Sequence, residues 1–162
     1  MTQKSCAERV RAQWQSARDD LATILYPQDA DPEDLQALGQ DPEDATLAYY
    51  GLSFDYVPYG TFSDQEGGYF RYQLSWGGPS SEIRFYVSLT ERAQMAQGER
   101  VSVTPDTIEF WFLDWFDGAS HDVTTDAVAL AVWDWFEDVC APTNAMLEAG
   151  TDLVELLAEE EE

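Results

Sequence analysis

Hydrophobic positions fall into three regimes along the chain. In the first, Ala7, Val10, Trp14, Ala17, Leu21, Ile24 and Leu25 recur at three- and four-residue steps. That spacing lays one apolar stripe along a helix of about five turns. Ser5 and Glu8 supply a capping box at its start, and Pro27 stops it. Arg9, Arg11 and Arg18 form the chain's one positive cluster on the other side of this helix, a face expected to be solvated. Two DPED tetrapeptides follow, at Asp31 to Asp34 and Asp41 to Asp44. Each has the form of a helix start, with Asp as N-cap, Pro at the first helical position and acids in the first turn, where the helix dipole favours them. Gly39 is expected to end the first short helix, and the second to fade near Tyr49 to Gly51.

From Leu52 the period changes to two. Leu52 to Val57 predicts a first strand, and Pro58 to Gly68 a connecting loop. Tyr69 to Trp76 alternates Phe70, Tyr72, Leu74 and Trp76 against Tyr69, Arg71, Gln73 and Ser75, which predicts a second strand with one wet face. After a Gly77-Gly78-Pro79 turn, Glu82 to Leu89 alternates Ile83, Phe85 and Val87 against Arg84, Tyr86 and Ser88. The three form an antiparallel meander, with Arg71 and Arg84 on its outer face near neighbouring carboxylates. Thr90 to Asp106 is polar and irregular, and is expected to be a long, mobile excursion. It leads into Thr107 to Gly118, TIEFWFLDWFDG, the densest aromatic stretch in the chain. Ile108, Phe110 and Phe112 alternate there with Trp111 and Leu113, so the stretch reads as a central strand covered on both faces and closed by a turn at Asp117-Gly118.

The third regime is helical again. Thr124 or Thr125 is expected to cap a helix running to about Cys140 through Val128, Leu130, Val132, Trp133, Trp135, Phe136 and Val139, kept wet only by Asp134, Glu137 and Asp138. Pro142 breaks it. Residues 145–158 predict a last helix through Met146, Leu147, Leu153, Val154, Leu156 and Leu157, and 159–162 an acidic disordered tail. DWFD at Asp114 to Asp117 returns as DWFE at Asp134 to Glu137, but one copy falls on a strand and the other on a helix, so this is no structural repeat. The predicted fold class is α+β: a four-stranded, mainly antiparallel sheet with N-terminal and C-terminal helices packed on it, as one globular domain over residues 1–158. Trp111, Trp133 and Trp135 are expected in the core.

Composition changes the picture through charge. The 162 residues include 32 acids against 8 bases, a formal net of -24. Such an excess is the usual mark of disorder, but a hydrophobic content of 44% argues against it for all but the tail. The acids are concentrated in two blocks: no Lys or Arg occurs in residues 19–70 or 106–162, whereas 71–105 is close to neutral. No segment has the length of a signal peptide or a membrane span, so a soluble, cytoplasmic protein is expected. Cys6 and Cys140 have neither metal-ligand spacing nor the density of a disulfide framework, and read as reduced packing residues.

No nucleophile, base or metal cage has convincing spacing, so the chain is not expected to be an enzyme or to need a cofactor or metal. His121 is the only histidine, and neither cysteine lies in a nucleophile motif, although a Cys-His pair stays open at this level. Asp29, Asp31 and Glu33 are followed by Asp34 where a calcium-binding loop needs Gly. Gly77-Gly78 and Gly67-Gly68 lack the Lys and following helix of a phosphate-binding loop. What remains is carboxylate density on an aromatic framework. Like charges at i,i+4 on a helix, as at Asp134 and Asp138, are destabilising, so a chain that accumulates them is serving something other than its own stability. Proteins that bind DNA gain much of their affinity from Lys and Arg meeting phosphates, and carboxylates on a rigid frame can occupy those positions.

In charge, size and acidic tail the chain resembles the acidic DNA-mimic inhibitors of the anti-restriction and anti-CRISPR kinds carried by phages and mobile genetic elements. The segments FDYVPYGTF, GYFRYQLSWGGPS and IEFWFLDWFDG also resemble those of small bacterial proteins, some of them plasmid-borne. The first resemblance implies a mechanism, blocking the nucleic-acid channel of a basic nucleic-acid-binding protein such as a host defence nuclease, without direct nucleic-acid binding or a membrane. The residues themselves nominate Asp114, Asp117, Asp122, Asp126, Asp134, Glu137 and Asp138 as one partner-binding group, and Asp31, Glu33, Asp34, Asp41, Glu43 and Asp44 as a second. Two rivals share the charge. One is adaptation to a high-salt cytoplasm, which the near-neutral block 71–105 opposes. The other is an immunity- or chaperone-type binder whose acidic face meets one basic protein.

Overall fold

The computed structural model describes residues 5–58, 60–63, 65, 67–77, 79–95, 98–114 and 117–140. The helix expected over 145–158 and the tail at 159–162 lie outside the described residues.

The first apolar stripe forms α1, Cys6–Leu25, with Ser5 as N-cap accepting the Glu8 N–H at 3.3 Å. Cys6, Val10, Trp14, Leu21 and Ile24 are its buried residues, whereas Ala7, expected on the stripe, is exposed. The first DPED starts α2, Pro32–Ala37, with Asp31 as cap. The second does not start a helix. Asp41 Oδ1 accepts the Glu43 N–H at 3.0 Å to close a turn, and Gln40 Oε1 takes the Thr46 N–H at 3.0 Å. Thr46 then caps a single helical turn, α3, Leu47–Tyr50.

Five strands follow: β1 Ser53–Val57, β2 Tyr69–Ser75, β3 Ser80–Met95, β4 Gly98–Asp114 and β5 Asp117–Asp122. They make one antiparallel meander in the order β1-β2-β3-β4-β5, so the expected four-stranded sheet has a fifth strand. That strand is DGASHD, of which Asp117-Gly118 was expected as a turn and Ala119 to Asp122 had no expected element. It needs no apolar alternation of its own, since β4 supplies the backbone partners from Glu109↔Asp122 to Asp114↔Asp117. The aromatic strand is thereby internal, as expected, with β3 on its other side.

Within the stretch Thr90 to Asp106, expected to be an excursion, Thr90, Glu91 and Arg92 instead pair with Ser102, Val101 and Arg100, and Met95 with Gly98. β3 and β4 run on past β2, whose pairing with β3 ends at Tyr69↔Tyr86, and past β5, whose pairing ends at Glu109. A register shift follows Tyr86↔Thr107, and from Val87↔Pro105 the two strands pair only with each other as a ribbon. Ser88↔Thr104, Leu89↔Val103 and Thr90↔Ser102 show the period of two that hydroxyl residues concealed in the sequence.

The described helices pack on one face of the sheet. Trp14 of α1 meets Phe110 of β4 at 5.4 Å between ring centroids. The last described helix, α4, Ala127–Cys140, covers β1 to β3. Its Phe136 stacks on Phe54 at 3.9 Å, and its Trp133 lies 5.5 Å from Phe70 and 5.2 Å from Phe85. Each such ring pair is worth about 0.5–1.5 kcal/mol beyond its buried area. Trp133 is core as expected, and Trp135 is partly buried against the same cluster. Trp111 is not core. It belongs to the opposite face, where no described helix lies, and Trp111 and Leu113 are only half-buried. The expectation of a strand covered on both faces is corrected accordingly. No described helix is long and apolar enough to cross a membrane.

Candidate acidic interface

The first group of nominated carboxylates divides in two. Asp114, at the end of β4, pairs with Arg9 of α1 at 2.8 Å. Asp117, at the start of β5, accepts the Cys6 N–H at 2.7 Å and so satisfies the first of the otherwise unpaired donors of α1. Asp122 accepts the Thr124 N–H at 2.9 Å and its hydroxyl at 2.6 Å, closing the turn out of β5. Asp126, rather than Thr124 or Thr125, is the cap of α4, its Oδ1 accepting from Val128 at 2.8 Å and Ala129 at 3.3 Å. The same carboxylate receives Arg18 Nε at 2.9 Å. Between them these four tie α1 to β4, β5 and the start of α4, and close the turn between β5 and α4. Two of the three arginines on the supposedly solvated face of α1 are engaged with them, and only Arg11 is left exposed.

The remaining acids face outward. Asp134 and Asp138 are exposed on α4, Glu137 is half-buried beside them, and none has an ion-pair partner among the described residues. In the second group all six are exposed. Asp31 spends one oxygen on the Glu33 N–H at 3.0 Å and Asp41 one on Glu43, while Glu33, Asp34, Glu43 and Asp44 present both.

The electrostatics follow the hydrogen bonds. The Cys6 N–H holds the Asp117 carboxyl below its ordinary range, and the Thr124 hydroxyl and amide do the same for Asp122. Burial, reinforced by a hydrogen bond to Asp117, pushes the Cys6 thiol up, away from nucleophilic character. Cys6 and His121 are not brought together: Cys6 is held at Asp117, and His121 lies four residues along β5, about 13 Å at strand rise. Among the described residues no cluster of His, Cys, Asp or Glu is arranged to hold a metal ion.

On the other face of the sheet the register aligns Asp55, Arg71, Arg84, Glu109 and Asp122 in one cross-strand row. Arg71 pairs with Asp55 at 2.9 Å. Arg84 turns along its own strand to Glu82 at 2.8 Å, its guanidinium 4.1 Å from the Trp111 ring centroid and 4.9 Å from that of Tyr69. Alternation had placed Arg71 and Arg84 on this face correctly. It could not name their partners, because a pairing inside one strand competes with two across strands.

Sequence reading also missed the exposure of three large hydrophobic side chains near the start of β1 and the end of β2. Trp76, expected to continue the inner alternation of β2, is 76% exposed, with Leu52 at 62% and Tyr49 at 81%. The one available signal was position, since Trp76 and Leu52 stand just outside their strands.

Compared with protein-family models, with curated proteins and with solved structures, the chain matches none.

Proposed function

We propose that this protein is an acidic inhibitor of the anti-restriction or anti-CRISPR kind, which sets carboxylates where a basic nucleic-acid-binding protein expects phosphates and so blocks its nucleic-acid channel. The observation that supports the reading is the fate of the positive charge. Arg9, Arg18, Arg71 and Arg84 are each neutralised by a carboxylate of the same chain. Glu33, Asp34, Glu43, Asp44, Asp134 and Asp138 meanwhile stand exposed without ion-pair partners among the described residues, and of the bases whose exposure is described only Arg11 is exposed. Most of these acids are held on a helix or a hydrogen-bonded turn, so their spacing is pre-organised, which lowers the ordering cost of binding. The partner is a protein rich in Lys and Arg; no cofactor, metal or chemical step is involved.

The test is capture from a lysate of the protein's own host, followed by elution with duplex DNA and by a DNA-binding assay on the captured protein. DNA should displace the partner, and the partner should fail to bind DNA while this chain is attached. Reversing Glu33, Asp34, Glu43 and Asp44 to Lys together should abolish capture with the fold intact, whereas single neutralisations should do little, because each exposed charge contributes only about 0–1 kcal/mol. A captured protein that binds its DNA normally in the complex would end the mimicry reading.

A further inference from the structure

The sheet ends in two edge strands that differ in charge. On β1 the Asp55 carboxylate is taken by Arg71. On β5 the acids at either end, Asp117 and Asp122, have no ion-pair partner among the described residues. Asp122 spends Oδ1 on Thr124, and its register partner is another carboxylate, Glu109. Which backbone groups β5 turns outward follows from Ile108. Its N–H donates to the Thr124 hydroxyl at 3.1 Å and its carbonyl accepts the Val123 N–H at 2.8 Å, so its backbone is turned to the β5 side. The register of β4 with β5 runs without a shift from Glu109↔Asp122 to Asp114↔Asp117, so Phe110, Phe112 and Asp114 turn the same way, towards His121, Ala119 and Asp117. Gly118, Ser120 and Asp122 therefore point their N–H and carbonyl groups away from the sheet, and all three residues are exposed. Among the described residues no strand pairs with this side of β5.

A bare edge is a template for another strand, and charge decides which strand fits. A second copy adding its own β5 antiparallel would bring the acids at the ends of one strand beside those of the other, and nucleic acid carries the same sign. The acids thus guard this edge against the chain's own copies and against anything anionic, while a cationic segment is attracted to it. We infer that the outer edge of β5, Gly118 to Asp122, is a docking site for an extended segment of a basic protein, which adds one more antiparallel strand to the sheet and carries Lys or Arg at alternate positions. Its backbone bonds to Gly118, Ser120 and Asp122, and a base opposite Asp122 has Glu109 in the same cross-strand row, one strand further in. The inference rests on the acidic-inhibitor reading for its basic partner and adds directed backbone bonds, which phosphate mimicry does not need.

The experiment uses the full chain and two labelled peptides of alternating Arg and Val, one ordinary and one with every backbone N–H methylated, so that charge is equal and strand pairing is lost. Fluorescence polarisation at about 0.15 M salt gives each affinity. The ordinary peptide should bind about tenfold more tightly, the scale of one or two net backbone hydrogen bonds. Ser120→Pro, which removes an outward N–H and no bond to β4, should cut that preference to about twofold or less and leave the methylated peptide unchanged, with circular dichroism reporting the fold. Asp122→Asn should weaken both peptides alike. Amide exchange on the parent chain, followed by NMR, supplies an arm that needs no variant. In the free protein Ser120 should exchange faster than Ala119 and His121, and the ordinary peptide at saturation should slow Gly118, Ser120 and Asp122 by about tenfold or more. Equal binding of the two peptides, a preference that survives Ser120→Pro, or no slowing at these three amides overturns the inference. If DNA displaces the captured partner but the peptides bind equally, mimicry stands and the docking edge falls. If the backbone preference is seen while DNA fails to displace the captured partner, the docking edge stands and only mimicry falls.

Discussion

Arg84 sets its guanidinium over the rings of Trp111 and Tyr69 and ends on Glu82, a carboxylate whose side chain is only 5% exposed. Removing the guanidinium would leave that charge buried and unpaired, which typically costs about 3–5 kcal/mol. Arg84→Met should therefore destabilise the protein by that order in urea unfolding. The double variant R84M/E82L should recover most of the loss, since a well-packed apolar pair can replace a buried ion pair. Strictly additive effects would mean that Glu82 reaches water and the pair is peripheral. A second residue-level constraint is Gly51. A Cβ there would run into the ring of Tyr72, which is fully buried and fixed by its hydroxyl donating to the Leu47 carbonyl at 2.6 Å. Gly51→Ala should cost about 1–3 kcal/mol, the usual penalty of overpacking, and a neutral result would show that Tyr72 has room to move. Neither partnership was legible in the sequence. Alternation tells which face a side chain takes, as for Arg71 and Arg84, but the partner depends on register and on which of several neighbours the side chain reaches.

The elements themselves were far more legible. Period-3.6 and period-2 patterns located α1, β1, β2, the start of β3, the aromatic half of β4 and α4, because each buries a regular apolar face. What escaped was structure without such a face. The ribbon beyond Tyr86 alternates hydroxyl residues, and the β5 backbone is paired by β4 although its sequence is DGASHD. The consequence for the candidate site is direct, since β5 and the turn after it recruit Asp117 and Asp122 into holding the fold together. Asp117 makes a test of this. Its carboxyl is held below the ordinary value of 3.8 by the Cys6 N–H, so it favours the folded state above that value and stops doing so as pH falls through its lowered pKa. Asp117→Ala should lower stability by a constant amount at pH 5 to 7, by loosening the start of α1. The difference from the parent should shrink as pH falls below about 3.8. A gap of the same size at low pH would mean that the alanine variant suffers from something other than the lost carboxylate.

At the scale of the whole molecule, a formal charge of -24 on 162 residues is a self-repulsion that the fold must outweigh. The two explanations of that charge part company in their response to salt. In an inhibitor the aromatic core carries the stability, with Phe54, Phe70, Phe85, Trp133 and Phe136 in mutual contact, and the surface acids are a tolerated burden. Such a chain should be folded at about 0.05 M NaCl, and its thermal midpoint should rise as added salt shortens the screening length towards about 8 Å near 0.15 M. The ion pairs of Arg9, Arg18 and Arg84 are partly buried, so they are screened less than the exposed acids, and the net effect of salt is stabilising. Capture of a basic partner should move the other way, weakening over the same range because attraction across a solvated interface is lost. In a salt-adapted protein the two quantities would not separate, since the fold itself would need the salt. Thermal unfolding and partner capture, both followed from about 0.05 to 1 M NaCl, should therefore show opposite slopes. A chain that folds only near 1 M, where screening is already as short as about 3 Å, would mean that the acids serve hydration in brine, and the inhibitor reading would give way to salt adaptation.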